Sequence, residues 1–385
     1  MIIVSVETKN IRGFLKELFN YSFSNISFLY EERKTYEKAS KLKVLAHKLG
    51  KSWLFDFLGF FQIINVGDKK CDVCVSYNRF LNSNKPYIII LENPSALVNY
   101  SWKRLNKYMT KKRLERCFKD ENLKAIVCLS NACKDTIRQF YNIPERIKIE
   151  RIYPLIPEDY SISEDKIARK ADEKVINCLF VSSQFELKGG RDIITAWSKV
   201  KDVDNRFKLS IITDKNTIRE EDRKLIDEYS SIDLYDFNLS KKELYKMYAD
   251  TQILLMPTRM DSFCLVVLEA MKYGCAMVGT NLYALKEMII DNYNGYVKTP
   301  KYQYWNTDNT PNLYVIKNKK KTILSGYIDD DIVNLIVDSL EELEGNREKL
   351  RQFCVNSYKM ATEKSFSEKS IANQWTRLIE ESIES

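Results

Sequence analysis

Histidine is nearly absent from these 385 residues: His47 is the only one. That all but removes Ser-His-Asp triads, histidine-rich zinc sites and the commonest general base from consideration. Its neighbours, KLKVLAHKLGK, look like one face of a basic helix, so a solvated imidazole is the natural reading. Glycine is scarce too, 11 in all, and no G-x-G-x-x-G occurs, which leaves a dinucleotide-binding fingerprint with little support. No run of about 18 apolar residues is present, so no segment reads as a membrane span. The opening MIIVSVETKN lacks a basic n-region and reads as a buried strand rather than a leader, giving a cytoplasmic expectation. The nine cysteines are scattered and odd in number, as expected of reduced, mostly buried thiols. Only Cys71 and Cys74 in CDVC lie close together, and no second pair stands at zinc spacing.

What is there is alternation. Short apolar runs (residues 1–6, 72–76, 87–91, 125–130 and 147–152, then 176–182, 207–213, 232–237, 252–257 and 275–280) read as strands, and segments of helical spacing lie between most of them. Continuous apolar strands separated by helices predict parallel sheets covered on both faces. A chain of this length exceeds one hydrophobic core. The alternation breaks once, at YPLIPEDYSISEDKIARKADEK (153–174), where two prolines and a charged stretch suggest a boundary. The expected organisation is an α/β chain of two doubly wound, Rossmann-like domains, 1–155 and 174–365, facing each other across a cleft. Helices are expected over about 329–345, 347–363 and 367–383, the last, within 366–385, packing back on the first domain. Ligands of such sheets lie outside the carboxyl ends of the strands.

Charge is divided unevenly. Residues 1–150 hold 27 Lys and Arg against 15 Asp and Glu, a net +12, whereas 151–385 hold 34 against 38, a net −4. The first half therefore suits an anionic partner. YSWKRLNKYMTKKRLERCFK (100–119) reads as a basic helix interleaved with aromatics, and residues 33–66 run from a lysine-rich helix into WLFDFLGFFQIINV. Fourteen mainly apolar residues suit an interfacial or a core segment, so a peripheral contact with an anionic membrane and a solvated basic face both stand. No nucleic-acid reading module accompanies the charge, and no nucleic-acid partner is expected.

The chemistry concentrates in MPTRMDSFCLVVLEAMKYGC (256–275). Ser262 suits a helix N-cap, which would leave the amides of Phe263, Cys264 and Leu265 as first-turn donors for a phosphate. At about 1.5 Å per residue, Glu269 falls about 10 Å further along, close to the span of a diphosphate. Asp261 and Glu269 could each accept hydroxyl hydrogens on either side of a pyrophosphate.

This stretch resembles the signature of retaining glycosyltransferases of the GT-B fold, family 4: an acid, seven residues and a second acid, then Ala270, Met271 and Gly274. Glu287 and Asn294-Gly295 extend the likeness, as do FVSSQFELKGGRDIITAW (180–197), FNLSKKELYKMYADTQILLMP (237–257) and, more weakly, LSNACKDTIRQFY (129–141). The resemblance implies that Glu269 holds the ribose and Asp261 the donor sugar ring. It implies that Lys188 neutralises the diphosphate opposite the amides of Phe263 to Leu265, with Ser183 in the same loop and Phe237 and Asn238 facing the base. It further implies transfer with retention from a nucleoside diphosphate-sugar, without metal or other cofactor, to a glycan, glycolipid or protein acceptor in envelope polysaccharide or glycolipid synthesis.

The sequence departs from the family pattern at Asp261, where a glutamate is usual, and at Ser262 and Cys264, where glycines are usual. Ser183 replaces the arginine that usually pairs with the lysine, leaving Arg259 and Arg191 as substitutes. An inactive relative serving as a sugar-binding or partner-binding subunit is the main alternative, and an epimerase or phosphorylase of the same architecture the next. Residues 299–326, TPKYQYWNTDNTPNLYVIKNKKKTILSG, lie outside the pattern and read as a surface hairpin.

Overall fold

The computed structural model describes residues 1–8, 11–30 and 56–384. His47 and the lysine-rich stretch before residue 56 lie outside them. The chain divides into two compact units, Met1–Ile156 with Glu368–Ser385, and Pro157–Ser367.

The first unit is built on a parallel sheet of six strands: β1 (Ile2–Val6), β2 (Ile26–Leu29), β4 (Val73–Tyr77), β6 (Tyr87–Leu91), β7 (Leu123–Cys128) and β8 (Lys148–Arg151), in the order β2-β1-β4-β6-β7-β8. The central strands β4 and β6 are buried along their whole length, as their unbroken Val/Ile/Cys runs predict. A small parallel pair, β3 (Ile63–Asn65) with β5 (Phe80–Asn82), lies beside it. The helix Glu368–Glu384 belongs to this unit, where Arg377 pairs with Glu150 and Lys148 with Glu381.

The stretch expected as one basic helix over 100–119 forms two, Trp102–Leu105 and Tyr108–Phe118. The chain turns extended at Lys107 between them, and Arg104 is buried rather than part of the basic face. Its guanidinium donates to Asp56 Oδ1 at 2.9 and 3.1 Å and to the Val98 carbonyl at 3.1 Å. Of the apolar run before β3, Phe61 is core, its ring tilted 49° against Phe80 with centroids 5.9 Å apart, whereas Phe57, Leu58 and Phe60 are exposed.

The second unit repeats the plan with β9 (Ile176–Val181), β10 (Phe207–Thr213), β11 (Ile232–Asp236), β12 (Ile253–Met256), β13 (Ala276–Thr280) and β14 (Gly295–Lys298), all parallel, in the order β11-β10-β9-β12-β13-β14. The chain winds outward from β9 in one direction and from β12 in the other. The loops after these two adjacent strands therefore diverge and leave the crevice where ligands of doubly wound sheets bind. Trp197, Phe180, Phe207 and Ile253 fill the core beneath it. The segment 153–174, which shows no apolar period in the sequence, contains the helix Glu164–Ala171, capped by Ser163 and buried through Ile167 and Ala171 into this unit's core. The helices Asp330–Gly345 and Arg347–Glu363 close the unit.

Candidate active site

Two loops meet at the carboxyl ends of β9 and β12. Gly189, in the loop after β9, has φ +82°, and a Cβ there would come within 2.4 Å of the Pro257 carbonyl oxygen. The glycine lets the first loop lie directly on the second. Lys188 precedes it, and its ammonium donates to Asp261 Oδ2 at 2.5 Å and to the Met260 carbonyl at 2.6 Å. Both side chains are largely sheltered, 17% and 19% exposed, which strengthens the ion pair relative to one in open water.

Asp261 uses its other oxygen on the backbone. Oδ1 accepts from the amides of Phe263 at 3.1 Å and Cys264 at 2.8 Å. The expected helix start is corrected accordingly. Ser262 is not the N-cap; the cap position is Cys264, in the left-handed region at φ 66°, and the helix runs from Leu265 to Lys272. The short aspartate reaches back over its own turn, as Asx turns do, and holds two of the three amides expected to await a phosphate. Glu269 now lies only about 6 Å along the axis from Leu265, and Asp261 lies off the helix altogether. Burial pushes the Asp261 carboxyl up, but Lys188 and the two amides outweigh it and hold it below the usual carboxylate range. Burial and the adjacent Asp261 push the Cys264 thiol well up, which disfavours its thiolate.

Glu269 accepts a hydrogen bond from Tyr248 Oη at 2.9 Å. Tyr248 is fully buried and stacks on Tyr273, so it orients the carboxylate from a rigid base. Ser183 is exposed in the loop after β9, and Phe237 is half-exposed after β11.

Neither candidate for the missing arginine is available. Arg259 is buried, donating to both Asp192 carboxylate oxygens at 2.7 and 2.9 Å and to the carbonyls of Glu186 and Tyr327. Arg191 is engaged with Asp222, Glu221 and the Gly326 carbonyl. Both are structural. Lys188 is thus the cation of the loop pair.

Residues that the motifs did not single out complete the loop. Thr258 Oγ1 donates to the Met260 carbonyl at 3.1 Å, Thr280 Oγ1 to the Thr258 carbonyl at 2.6 Å, and Trp305 Nε1 to the Asp261 carbonyl at 2.6 Å. The 299–326 segment is therefore no detached hairpin. Among the described residues no group of three or more His, Cys, Asp and Glu is placed to hold a metal ion, and no helix is long and apolar enough to cross a membrane.

Residues 161–305 match the family model Glycosyl transferases group 1. The match covers β9 to β14 and ends on Trp305, past Asn294-Gly295, the last of the motifs, but it does not include the weaker segment 129–141. The chain is 30% identical over 152 residues to an uncharacterized 41.2 kDa protein in the cps region of Klebsiella pneumoniae, covering 38% of this chain and 40% of that one. It is 27% identical over 241 residues to an uncharacterized glycosyltransferase of Methanocaldococcus jannaschii, covering 55% and 58%. The matches thus span about half the length of these relatives. Among solved structures, HepE of Anabaena in complex with UDP and glucose aligns over 98% of this chain and 99% of its own, with TM-score 0.60 and 11% identity. WaaG, described as a glycosyltransferase of lipopolysaccharide biosynthesis, aligns over 98% and 99% with TM-score 0.57 and 14% identity. The fold is the two-domain α/β fold of GT-B glycosyltransferases.

Proposed function

We propose that the protein transfers a sugar from a nucleoside diphosphate-sugar to an acceptor hydroxyl, with retention at the anomeric carbon. The observation that carries this reading is the Lys188–Asp261 pair at the switch point between β9 and β12, inside the matched residues 161–305. Departure of a nucleoside diphosphate builds negative charge on phosphate and positive charge on the sugar ring. A cation and a carboxylate a few ångströms apart answer both.

In this reading the diphosphate lies against Lys188. An ammonium has three donors, and two serve Asp261 and Met260, so the third is directed at phosphate. Asp261 accepts from the sugar hydroxyls, Glu269, oriented by Tyr248, holds the ribose, and the Leu265 amide, the one of the three that Asp261 does not hold, approaches the phosphates. The loop of Ser183 covers the other side, and Phe237 lies beside the base. The leaving phosphate takes the acceptor proton on the same face, so no histidine base is needed. UDP-sugars are the first donors to examine, because HepE was solved with UDP and glucose. The cps-region relative and WaaG support an acceptor in envelope polysaccharide or glycolipid synthesis.

The acceptor is then met at the inner membrane face, where the first unit docks peripherally. Phe57, 59% exposed, and Tyr108, 74% exposed, with Phe60 and Met109, form an apolar patch. Gly59 packs against Thr110 and Arg113 lies over Phe60, which joins the two segments, and exposed Lys103, Lys107, Lys111 and Lys112 surround them. Aromatics beside lysines suit an anionic lipid surface.

The test is release of nucleoside diphosphate from a panel of UDP-, GDP-, ADP- and CDP-sugars, with and without extracted lipid acceptors. Release that depends on an acceptor and disappears in Lys188→Ala and Glu269→Ala supports the reading. Binding without release from every donor would instead mark an inactive relative.

A further inference from the structure

The segment 299–327 touches both loops of the site. At its start, the Tyr304 amide donates to the Arg259 carbonyl at 2.9 Å and Trp305 Nε1 to the Asp261 carbonyl at 2.6 Å. At its end, the Gly326 amide donates to Glu186 Oε1 at 2.5 Å, and Arg191 and Arg259 donate to the Gly326 and Tyr327 carbonyls. Glu186 and Arg191 flank Lys188 in the chain, and Arg259 and Asp261 lie on the opposing loop. The segment therefore spans the two loops that supply the ion pair.

Its anchor is Trp305, 1% exposed. The indole stacks on Tyr283 at 4.0 Å with the planes 21° apart, and Tyr283 is itself fully buried, in the left-handed region at φ 44°. Trp305 and Pro311 pair across a tight turn, where Lys286 donates to the Thr307 carbonyl at 2.6 Å and to Asn309 Oδ1 at 2.9 Å. The ring is thus fixed before it meets the catalytic loop. Its N–H, the one polar atom of the side chain, is directed at the backbone of the residue whose carboxylate holds Lys188.

We propose that Trp305 is a positioning residue for Asp261: its indole N–H on the Asp261 carbonyl sets the carboxylate against Lys188, so the 299–327 segment tunes the sugar end of the donor site rather than the nucleotide end. Its geometry stands on observed bonds, and its consequence for the donor sugar rests on the transferase reading above. Trp305 does not touch the substrate, since it is buried behind the loop. Its effect passes through Asp261, which in that reading meets the sugar and not the nucleoside.

Two measurements on Trp305→Phe test this, because phenylalanine keeps an aromatic ring for Tyr283 and removes only the donor and part of the ring. The first is acylation by sulfosuccinimidyl acetate, read by peptide mass spectrometry. Lys188 in the variant is expected to label about threefold faster or more relative to exposed Lys224, the scale of one lost hydrogen bond. Equal relative labelling in variant and parent overturns the inference, whatever the protein binds. The second is titration with UDP-glucose and with UDP. The variant is expected to lose about threefold to tenfold in affinity for UDP-glucose with UDP affinity kept within about twofold. Equal loss for both ligands means a general structural role and also overturns the positioning assignment. A parent that binds neither ligand overturns the UDP-glucose reading alone, since the labelling result stands independently of it.

Discussion

Lys188 and Asp261 stand 73 positions apart in the chain, yet the ammonium and the carboxylate oxygen lie 2.5 Å apart, each delivered by a loop at the reversal point of one parallel sheet. The pair is internally complete. In the proposed reading a donor diphosphate would recruit the lysine without displacing the aspartate, because an ammonium has a third donor beyond those serving Asp261 and Met260.

Lys188→Ala is expected to weaken donor binding by about tenfold to a hundredfold, the range for a hydrogen bond to a charged group of about 1.5–3 kcal/mol. Lys188→Arg should recover little, because a guanidinium cannot place one point charge between two oxygens at 2.5 and 2.6 Å. Titration calorimetry with UDP and UDP-glucose reads both variants, and full recovery in Lys188→Arg would refute the geometric argument.

The pH dependence follows from the depressed pKa of Asp261. A carboxylate whose folded value lies below its unfolded value of about 3.9 contributes stability above that value and loses it as the pH falls through the folded one. The melting-temperature difference between the parent and Asp261→Asn should therefore stay constant from about pH 5 to 8 and shrink only below about pH 4. A difference that grows on acidification would contradict the assignment.

The buried pair Arg259–Asp192 is expected to govern stability. Asp192→Ala leaves a guanidinium buried without its carboxylate and is expected to cost about 3–5 kcal/mol in urea unfolding of the full chain. A cost below about 1 kcal/mol would show that water replaces the carboxylate.

Gly189→Ala should be destabilising by about 2 kcal/mol or more, since it combines a left-handed backbone with a Cβ placed against the Pro257 carbonyl. The same substitution should lower donor affinity, because the Lys188 loop must lift from the Asp261 loop. Unchanged stability and binding would mean that the loops are not in register.

Much of this architecture was legible because buried parallel strands announce themselves. Runs such as YIIIL and INCLFV have no other comfortable place, and all ten strands expected from such runs form. The four not expected, β2, β3, β5 and β14, are short and mostly partly exposed edge or side strands. The site was legible as a set of residue types but not as a set of bonds. Periodicity could not show that Asp261, one methylene shorter than glutamate, folds back on the Phe263 and Cys264 amides and delays the helix to Leu265. Nor could it show the role of Trp305, which reads as one aromatic among several in a polar insertion until Tyr283 is found beneath it.

The patch around Phe57 and Tyr108 gives a separate expectation. The protein should sediment with vesicles containing phosphatidylglycerol at low salt and be released at high salt. With about 1 kcal/mol for each surface lysine, Lys111→Glu with Lys112→Glu should reduce partitioning on the order of 30-fold or more. Equal sedimentation with neutral vesicles would contradict the electrostatic part, and no sedimentation in any salt would remove the membrane contact.

The central claim, that the Lys188–Asp261 pair is the reacting end of a nucleotide-sugar site, is tested most directly by the anomeric configuration and rate of the product formed from an active donor. The account predicts a product of the donor's own configuration, formed by the parent and at less than about one hundredth of its rate by Asp261→Ala. A product of inverted configuration, or undiminished turnover in Asp261→Ala, would contradict it.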